Sequence, residues 1–124
     1  MATYKLGWGM KTPGQEFLSE KTLTGDSYTE SVFPIPIATD TQVFFAIDVS
    51  RTLALMLFAD QDMTLETNNT GPGDNAISLK ANIPYVWCTN WYDTYLLTVD
   101  VVSIYVTSAA VGTLTIRHLY DGTL

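Results

Sequence analysis

Three groups of side chains in this sequence are of types that do chemistry: the single cysteine Cys88, the single histidine His118, and the acidic pair Asp60 and Asp62. A cysteine acts as a nucleophile when a neighbouring base or cation lowers the pKa of its thiol. Cys88 stands among apolar and aromatic residues, and His118 belongs to a different predicted strand. We therefore interpret Cys88 as a buried thiol that packs as a small apolar side chain.

His118 is the only side chain whose ordinary pKa lies near neutral pH. It follows Leu114 and Ile116 at strand spacing, so we predict that all three lie on one face of a strand. The sequence contains no Gly-x-Ser-x-Gly motif that would supply a nucleophilic serine. A structural histidine at the edge of the core is the interpretation that this pattern favours.

Asp60 and Asp62, with Glu66 and Asp74 after them, are residue types that bind hard cations. Calcium takes six to eight oxygen ligands, commonly in a loop with a glycine at its sharp turn. No glycine lies between Asp60 and Asp62, and the segment runs directly into a predicted strand. We favour a polar turn. Since the sequence also has no zinc ligand set and no phosphate-binding glycine loop, we predict no metal, no cofactor and no enzymatic activity.

Aromatic residues are the most distinctive candidates for a binding surface. Trp91, Tyr92 and Tyr95 fall within a short polar stretch, and such residues stack on sugar rings or anchor protein interfaces. Tyr4 and Trp8 alternate on one face of the first predicted strand. We predict these five residues as the candidate interface, although burial of the later three is an equal alternative.

The composition indicates one folded domain, residues 1–124, with 47% hydrophobic and 15% charged residues. The net charge is −7, and the six basic residues form no cluster. Nucleic-acid binders need clustered Lys and Arg, so we expect neither nucleic acid nor an anionic membrane surface as a partner. A lone cysteine excludes an internal disulfide, and no signal peptide or membrane-spanning segment is predicted. We expect synthesis in a reducing cytoplasm.

Short β-rich runs separated by turn residues predict an all-β fold, either an antiparallel β-sandwich or a jelly-roll-like barrel. The predicted strands are 3–8, 16–24, 42–48, 53–59, 62–67, 76–83, 100–107 and 113–119. Run 31–37 contains Pro34 and Pro36, so we predict an edge strand or an extended connection there. Run 42–48 is apolar on both faces and is predicted to be buried on both sides. We predict that 100–107 and 113–119 form a hairpin, and that residues 1–14 form an extended N-terminal arm.

Four segments carry a resemblance to a known group of proteins: FAIDVS at 45–50, ADQDMTLETN at 59–68, ISLKANIP at 77–84 and DVVSIYVT at 100–107. Together with the ending LTIR at 114–117, this pattern resembles the small virion head proteins of tailed bacteriophages, over roughly residues 43–124. The resemblance implies a capsid decoration (cement) protein that binds the major capsid protein on the outer surface of the head. It also implies a homo-oligomer, often a trimer, and it carries over no functional residue.

Two alternatives remain open. The first is a carbohydrate-binding module that uses Trp91, Tyr92 and Tyr95 as a stacking platform, and the second is a tail or fibre component of the virion. An enzyme is the weakest interpretation, because acid–base catalysis needs positioned partners.

Overall fold

The fold was obtained as a computed structural model, which describes residues 2–25, 27–89 and 97–121. Ten strands and one 3-10 turn, Val49–Arg51, make up its regular structure. The strands are β1 Ala2–Thr12, β2 Gln15–Gly25, β3 Ser27–Ile35, β4 Ala38–Val43, β5 Thr52–Ala59, β6 Met63–Thr67, β7 Ala76–Leu79, β8 Tyr85–Cys88, β9 Ile104–Ser108 and β10 Gly112–Tyr120.

Eight of the strands form two antiparallel four-stranded sheets, with the orders β3-β10-β5-β8 and β4-β9-β6-β7. When β3 to β10 are counted as strands one to eight, these orders are 1-8-3-6 and 2-7-4-5, which is the strand order of a jelly roll. The predicted all-β fold is confirmed, and the topology assigns it to the jelly-roll form of the sandwich. None of the residues that the structure describes belongs to a helix long and apolar enough to cross a membrane.

The core lies between the two sheets, toward which β10 and β6 turn their apolar residues, and β5, which is apolar from Leu53 to Ala59, buries Leu55, Leu57 and Ala59 there. In β10 the buried residues Leu114 and Ile116 alternate with Thr113 and Thr115, which are half-exposed. The other sheet contributes side chains of the same kind. The innermost ones include Leu65 and Val106.

The predicted hairpin of 100–107 and 113–119 is wrong. β9 pairs with β4 and β6, whereas β10 pairs with β3 and β5 in the other sheet. The short connection 109–111 therefore crosses from one sheet to the other. Two strands bury their apolar faces equally well as neighbours in one sheet or as members of two sheets that face each other across the core. Alternation alone therefore does not distinguish a hairpin from a crossover.

The predicted strand 42–48 is also wrong in extent. β4 ends at Val43, and Phe44, which follows it, is 76% exposed. Beyond it, a single bridge joins Ile47 to Val101. Strand β7 likewise ends at Leu79, earlier than predicted, because residues 80–82 form a turn in which Asn82 has a φ of 62°.

The proline-containing run is an edge strand, as predicted. β3 pairs with β10 on one side, and Pro34 lies opposite Thr113. Its other side carries no strand in the described part of the chain. Because proline has no amide hydrogen to donate, an edge is where a strand tolerates it.

Strands β1 and β2 form a long hairpin of eleven residue pairs that makes a separate two-stranded sheet. Pro13 and Gly14 connect the strands. Gly14 has a φ of 81°, a conformation that glycine adopts without strain, and proline before it suits the first central position of such a turn. The predicted N-terminal arm is therefore extended, but it is paired with residues 15–25 and forms one half of the hairpin.

Candidate functional site

The hairpin is held on the sandwich at its root, which we define as residues 2–6 and 21–25. Leu23 is buried there with Cys88 of β8 and Leu119 of β10, and Tyr4 and Leu6 pack against the same cluster. The ring of Tyr4 stacks on Tyr28, with 5.1 Å between the ring centroids. These contacts cover one end of the outer face of the β3-β10-β5-β8 sheet.

Two further contacts fix the root. Lys21 Nζ donates a hydrogen bond to the carbonyl oxygen of Thr89. Gly25 lies so close to the sheet that a Cβ atom there would come within 2.7 Å of Leu119 Cδ1 and 3.0 Å of Leu53 Cδ1. The absence of a side chain at residue 25 is therefore what allows the hairpin to pack this tightly.

The tip of the hairpin, residues 7–20, extends beyond these contacts. At roughly 3.3 Å per residue, the six pairs past Leu6 lengthen the hairpin by about 20 Å. Gly7, Gly9 and the turn residues Pro13 and Gly14 are exposed. In the paired register of the tip, Trp8 lies opposite Ser19 and Met10 lies opposite Phe17.

The five residues predicted for the interface are placed as follows. Tyr4 is half-buried in the root. Trp8 lies in the tip opposite Ser19, and its side chain is outside what the structure describes. Trp91, Tyr92 and Tyr95 fall outside the described residues.

A second candidate site is a cleft of about 550 Å³ at the open end of the sandwich. It lies between the edge strand β3, the end of β10 and the segment 44–51. We call it the His118 cleft, and it is lined by Thr29, Ser31, Phe44, Phe45, Ala46, Asp48, Arg51, His118 and Tyr120. It is where the structure brings the histidine, a carboxylate and a guanidinium into one cavity.

His118 is 3% exposed, and the predicted placement on the same strand face as Leu114 and Ile116 is confirmed. Its ring stacks on Tyr120 at 4.8 Å and meets the edge of Phe45 at 6.1 Å, both measured between ring centroids. Burial lowers the pKa of the imidazole to about 4, so the ring is neutral at pH 7.

The tautomer follows from the neighbouring hydroxyl. Thr52 Oγ1 donates its hydrogen to the carbonyl oxygen of Asp48 at 2.9 Å. It lies 2.9 Å from His118 Nε2 and is then left only to accept there. His118 Nε2 therefore carries the proton, and Nδ1 has a free lone pair. No group among the described residues donates a hydrogen bond to Nδ1.

The carboxylate of Asp48 interacts with the neighbouring residues Ser50 and Arg51. One carboxylate oxygen accepts from Ser50 N at 3.1 Å and from Ser50 Oγ at 2.7 Å, and the other lies 3.5 Å from Arg51 Nε. The hydrogen bond from the Ser50 hydroxyl is the main reason that the pKa of Asp48 lies below its usual value. The cleft therefore contains the neutral imidazole of His118, whose Nδ1 can accept a hydrogen bond, and the ion pair between Asp48 and Arg51.

Cys88 is fully buried, as predicted, and burial raises the pKa of its thiol. The residue that covers it from the hairpin is Leu23. Because a thiolate is the reactive form, this environment suppresses its reactivity.

The acidic pair lies in turns, as the turn interpretation predicts. Asp60 Oδ1 accepts from Thr113 N at 2.7 Å, and Asp62 Oδ1 accepts from Ala81 N at 2.8 Å. Lys80 Nζ lies 3.8 Å from the other oxygen of Asp62. Within residues 2–25, 27–89 and 97–121, no three His, Cys, Asp or Glu side chains converge as a metal-binding group.

Comparison with protein-family models, curated proteins and solved structures found no match to this chain. Function must therefore be inferred from the two sites themselves. The sequence contained a signal for the hairpin in Pro13-Gly14 between two strand-like runs. It contained none for the cleft, which depends on how segment 44–51 crosses the end of the sandwich.

Proposed function

We propose that this protein is a non-enzymatic structural protein of a virion, specifically a capsid decoration protein that binds the major capsid protein on the outer surface of a bacteriophage head. The observation that carries the proposal is the hairpin. Its root is packed on the sandwich, and its tip extends about 20 Å past the last of those contacts as a paired two-stranded ribbon. Such an arm suits attachment to another protein surface.

The charge distribution supports the same use of the hairpin. Residues 2–25 carry three lysines and two glutamates, a net charge of +1, whereas the rest of the chain carries three basic and eleven acidic residues, a net charge of −8. The hairpin is therefore the part of the protein that can approach another acidic protein surface with least repulsion. The strongly acidic sandwich favours solubility.

The architecture agrees with this proposal without deciding it. Jelly rolls are common in viral capsid and lectin domains, but one fold supports many functions. The reactive types of side chain also support the proposal, because Cys88 is buried and the carboxylates of Asp48, Asp60 and Asp62 accept hydrogen bonds from backbone amides of the fold. Many identical weak contacts on a symmetric shell would give a strong total attachment.

The test is a variant with a shortened hairpin. Deleting residues 7–12 and 15–20 joins Leu6 to Pro13 and Gly14 to Lys21. It keeps the pair Leu6–Lys21 in register next to the turn and retains every root contact. Intact particles are purified from an infected culture that expresses either form, and copies per major capsid subunit are counted by quantitative mass spectrometry.

We expect the full-length protein in copy numbers comparable to those of the shell subunits, and at least about tenfold fewer copies of the shortened form. The control is Val111→Ser, a change at a 70% exposed residue of the connection between β9 and β10, which should leave occupancy unchanged. Thermal unfolding confirms that both variants fold. Absence of the protein from particles, or equal occupancy by the shortened form, contradicts the proposal.

A further inference from the structure

The His118 cleft is a second binding site that the proposed attachment through the hairpin does not use. Its volume of about 550 Å³ falls in the range typical of pockets for small ligands. Three of its lining rings pack on one another, with the edge of Phe45 against His118 and His118 stacked on Tyr120. The site is therefore preformed by packed aromatic groups.

The buried acceptor atom Nδ1 of His118 indicates which kind of hydrogen-bonding group a ligand of the cleft must carry. His118 Nδ1 has a lone pair to which no described residue donates a hydrogen bond, and the residue is only 3% exposed. Buried polar atoms are nearly always hydrogen-bonded, and an exception points to a bound water or a ligand. Since the ring is neutral, the missing partner is a hydrogen-bond donor, such as a hydroxyl group.

The remaining lining restricts the ligand further. Thr29 and Ser31 contribute hydroxyl groups to the lining, and Phe44, which also lines the cleft, is 76% exposed. Asp48 and Arg51 neutralise each other as an ion pair. The net charge of −7 disfavours anionic ligands. A ligand that matches these features is uncharged, rich in hydroxyl groups, and has an apolar face.

We propose that the His118 cleft binds one ring of a neutral sugar, with a ring hydroxyl donating to His118 Nδ1 and the C–H face of the ring against Phe44. Sugars combine these two properties, and aromatic rings are the usual surface on which their apolar faces stack. The described residues that line the cleft do not include the platform predicted at Trp91, Tyr92 and Tyr95, and the proposal does not depend on capsid attachment.

The experiment titrates the purified protein with methyl glycosides of glucose, galactose, mannose and N-acetylglucosamine and records NMR spectra. At least one glycoside should shift the amide signals of Thr29, Ser31 and Ala46, and also move the ¹⁵N signal of His118 Nδ1 in the direction of a newly accepted hydrogen bond. We expect dissociation constants of about 1 mM, as is common for a single small ring with few contacts.

Two variants separate the contribution of the hydrogen bond to His118 from that of stacking on Phe44 in the proposed sugar binding. His118→Phe keeps an aromatic ring but removes the acceptor, and Phe44→Ala removes the exposed ring without touching the core. Each should weaken binding by about tenfold or more. Val111→Ser, outside the cleft, should bind as the unchanged protein does. Phe44→Ala keeps the test decisive if the histidine variant does not fold.

The proposal is overturned if none of the four glycosides shifts these signals, or if binding survives unchanged in the Phe44→Ala variant. Shifts confined to the amides of residues 85–95 also overturn it, because they would assign sugar binding to the aromatic platform instead. Purified protein is used throughout, so the result is independent of whether the protein is found on particles.

Discussion

Cys88 and His118 lie on opposite faces of the same sheet. In β5, Ala54 pairs with both Cys88 and Leu119, whereas the next residue, Leu55, pairs with Trp87 and His118. Because neighbouring residues of a strand point to opposite faces, the thiol lies under the hairpin and the imidazole faces the sandwich interior. The structure thereby separates the two side chains that a cysteine–histidine catalytic pair would need.

The position of Cys88 predicts slow modification. Burial raises the pKa of the thiol and the hairpin covers it, so we expect native protein to react with an aromatic disulfide reagent far more slowly than urea-unfolded protein. Leu23→Ala should loosen the root by about 2–3 kcal/mol and accelerate the reaction by about thirtyfold or more. The rate is followed by absorbance. Native protein that reacts as fast as a free thiol would refute the buried placement.

Close packing at the hairpin root predicts a large effect of a single methyl group. Gly25→Ala would place a Cβ atom 2.7 Å from Leu119 Cδ1, so we expect a loss of about 1–3 kcal/mol in the free energy of unfolding. Gly7→Ala is the matched control, since its Cβ would approach nothing closer than Ser19 O at 3.8 Å. Urea unfolding of both variants measures the difference. Equal stabilities would show that the root is not packed as described.

His118 predicts a specific pH dependence of stability. Its pKa is about 4 in the folded protein and 6.5 as the ordinary value, so the unfolded chain binds more protons between these pH values. The stabilisation is therefore complete above about pH 6.5 and is lost as the pH falls toward 4, to a total of about 3 kcal/mol.

The comparison that isolates this effect is between the unchanged protein and His118→Phe. Both share the titration of Asp48 and the other carboxylates. Urea unfolding at about pH 7, 5.5 and 4 should show a steeper loss in the unchanged protein. Parallel curves for the two proteins would mean that His118 titrates normally in the fold.

Asn68 predicts a local change in the loop between β6 and β7. Its Oδ1 accepts from Val102 N at 2.8 Å, and its Nδ2 donates to Asp100 O and to Asp74 Oδ2, each at 2.8 Å. It also has a φ of 65°, which alanine tolerates poorly. Asn68→Ala should cost about 2–3 kcal/mol, and Asn68→Gly less, because glycine retains the backbone conformation.

The measurement for Asn68 is amide hydrogen exchange at Val102, which should accelerate in both variants because each removes the acceptor. The Asp74→Asn variant, which leaves the bond to Val102 in place, is the control. Unchanged exchange at Val102 would show that this hydrogen bond does not hold the loop.

Much of the fold was predictable from local patterns. Alternation of apolar residues located β6 and β10, a short continuous apolar run located β5, and the prolines limited the β3 region to an edge strand or an extended connection. These features depend only on burial of one strand face and on the lack of a proline amide hydrogen. The same reasoning placed His118 in the core row and Asp60 in a turn.

The strand pairing and the cleft could not be predicted, because both depend on which sheet each strand joins. The connection at 109–111 is as short as a hairpin loop, yet it crosses between sheets, because the apolar faces of β9 and β10 meet across the core. The apolar run 42–48 was wrongly predicted as one buried strand for a related reason. Phe44 and Phe45 line the cleft at the end of the sandwich and do not continue the strand. The cleft itself arises from these long-range placements.

The location of β10 between β3 and β5 has a consequence for the order in which this protein is assembled in time. Although it is the last described strand along the chain, it is the partner of both neighbours, so a nascent polypeptide that ends at Val111 has no means of joining β3 to β5. During translation that sheet must wait for residues 112–120 to leave the ribosome. The jelly roll is thus expected to close as one late event, with most of its pairings made between residues far apart in sequence.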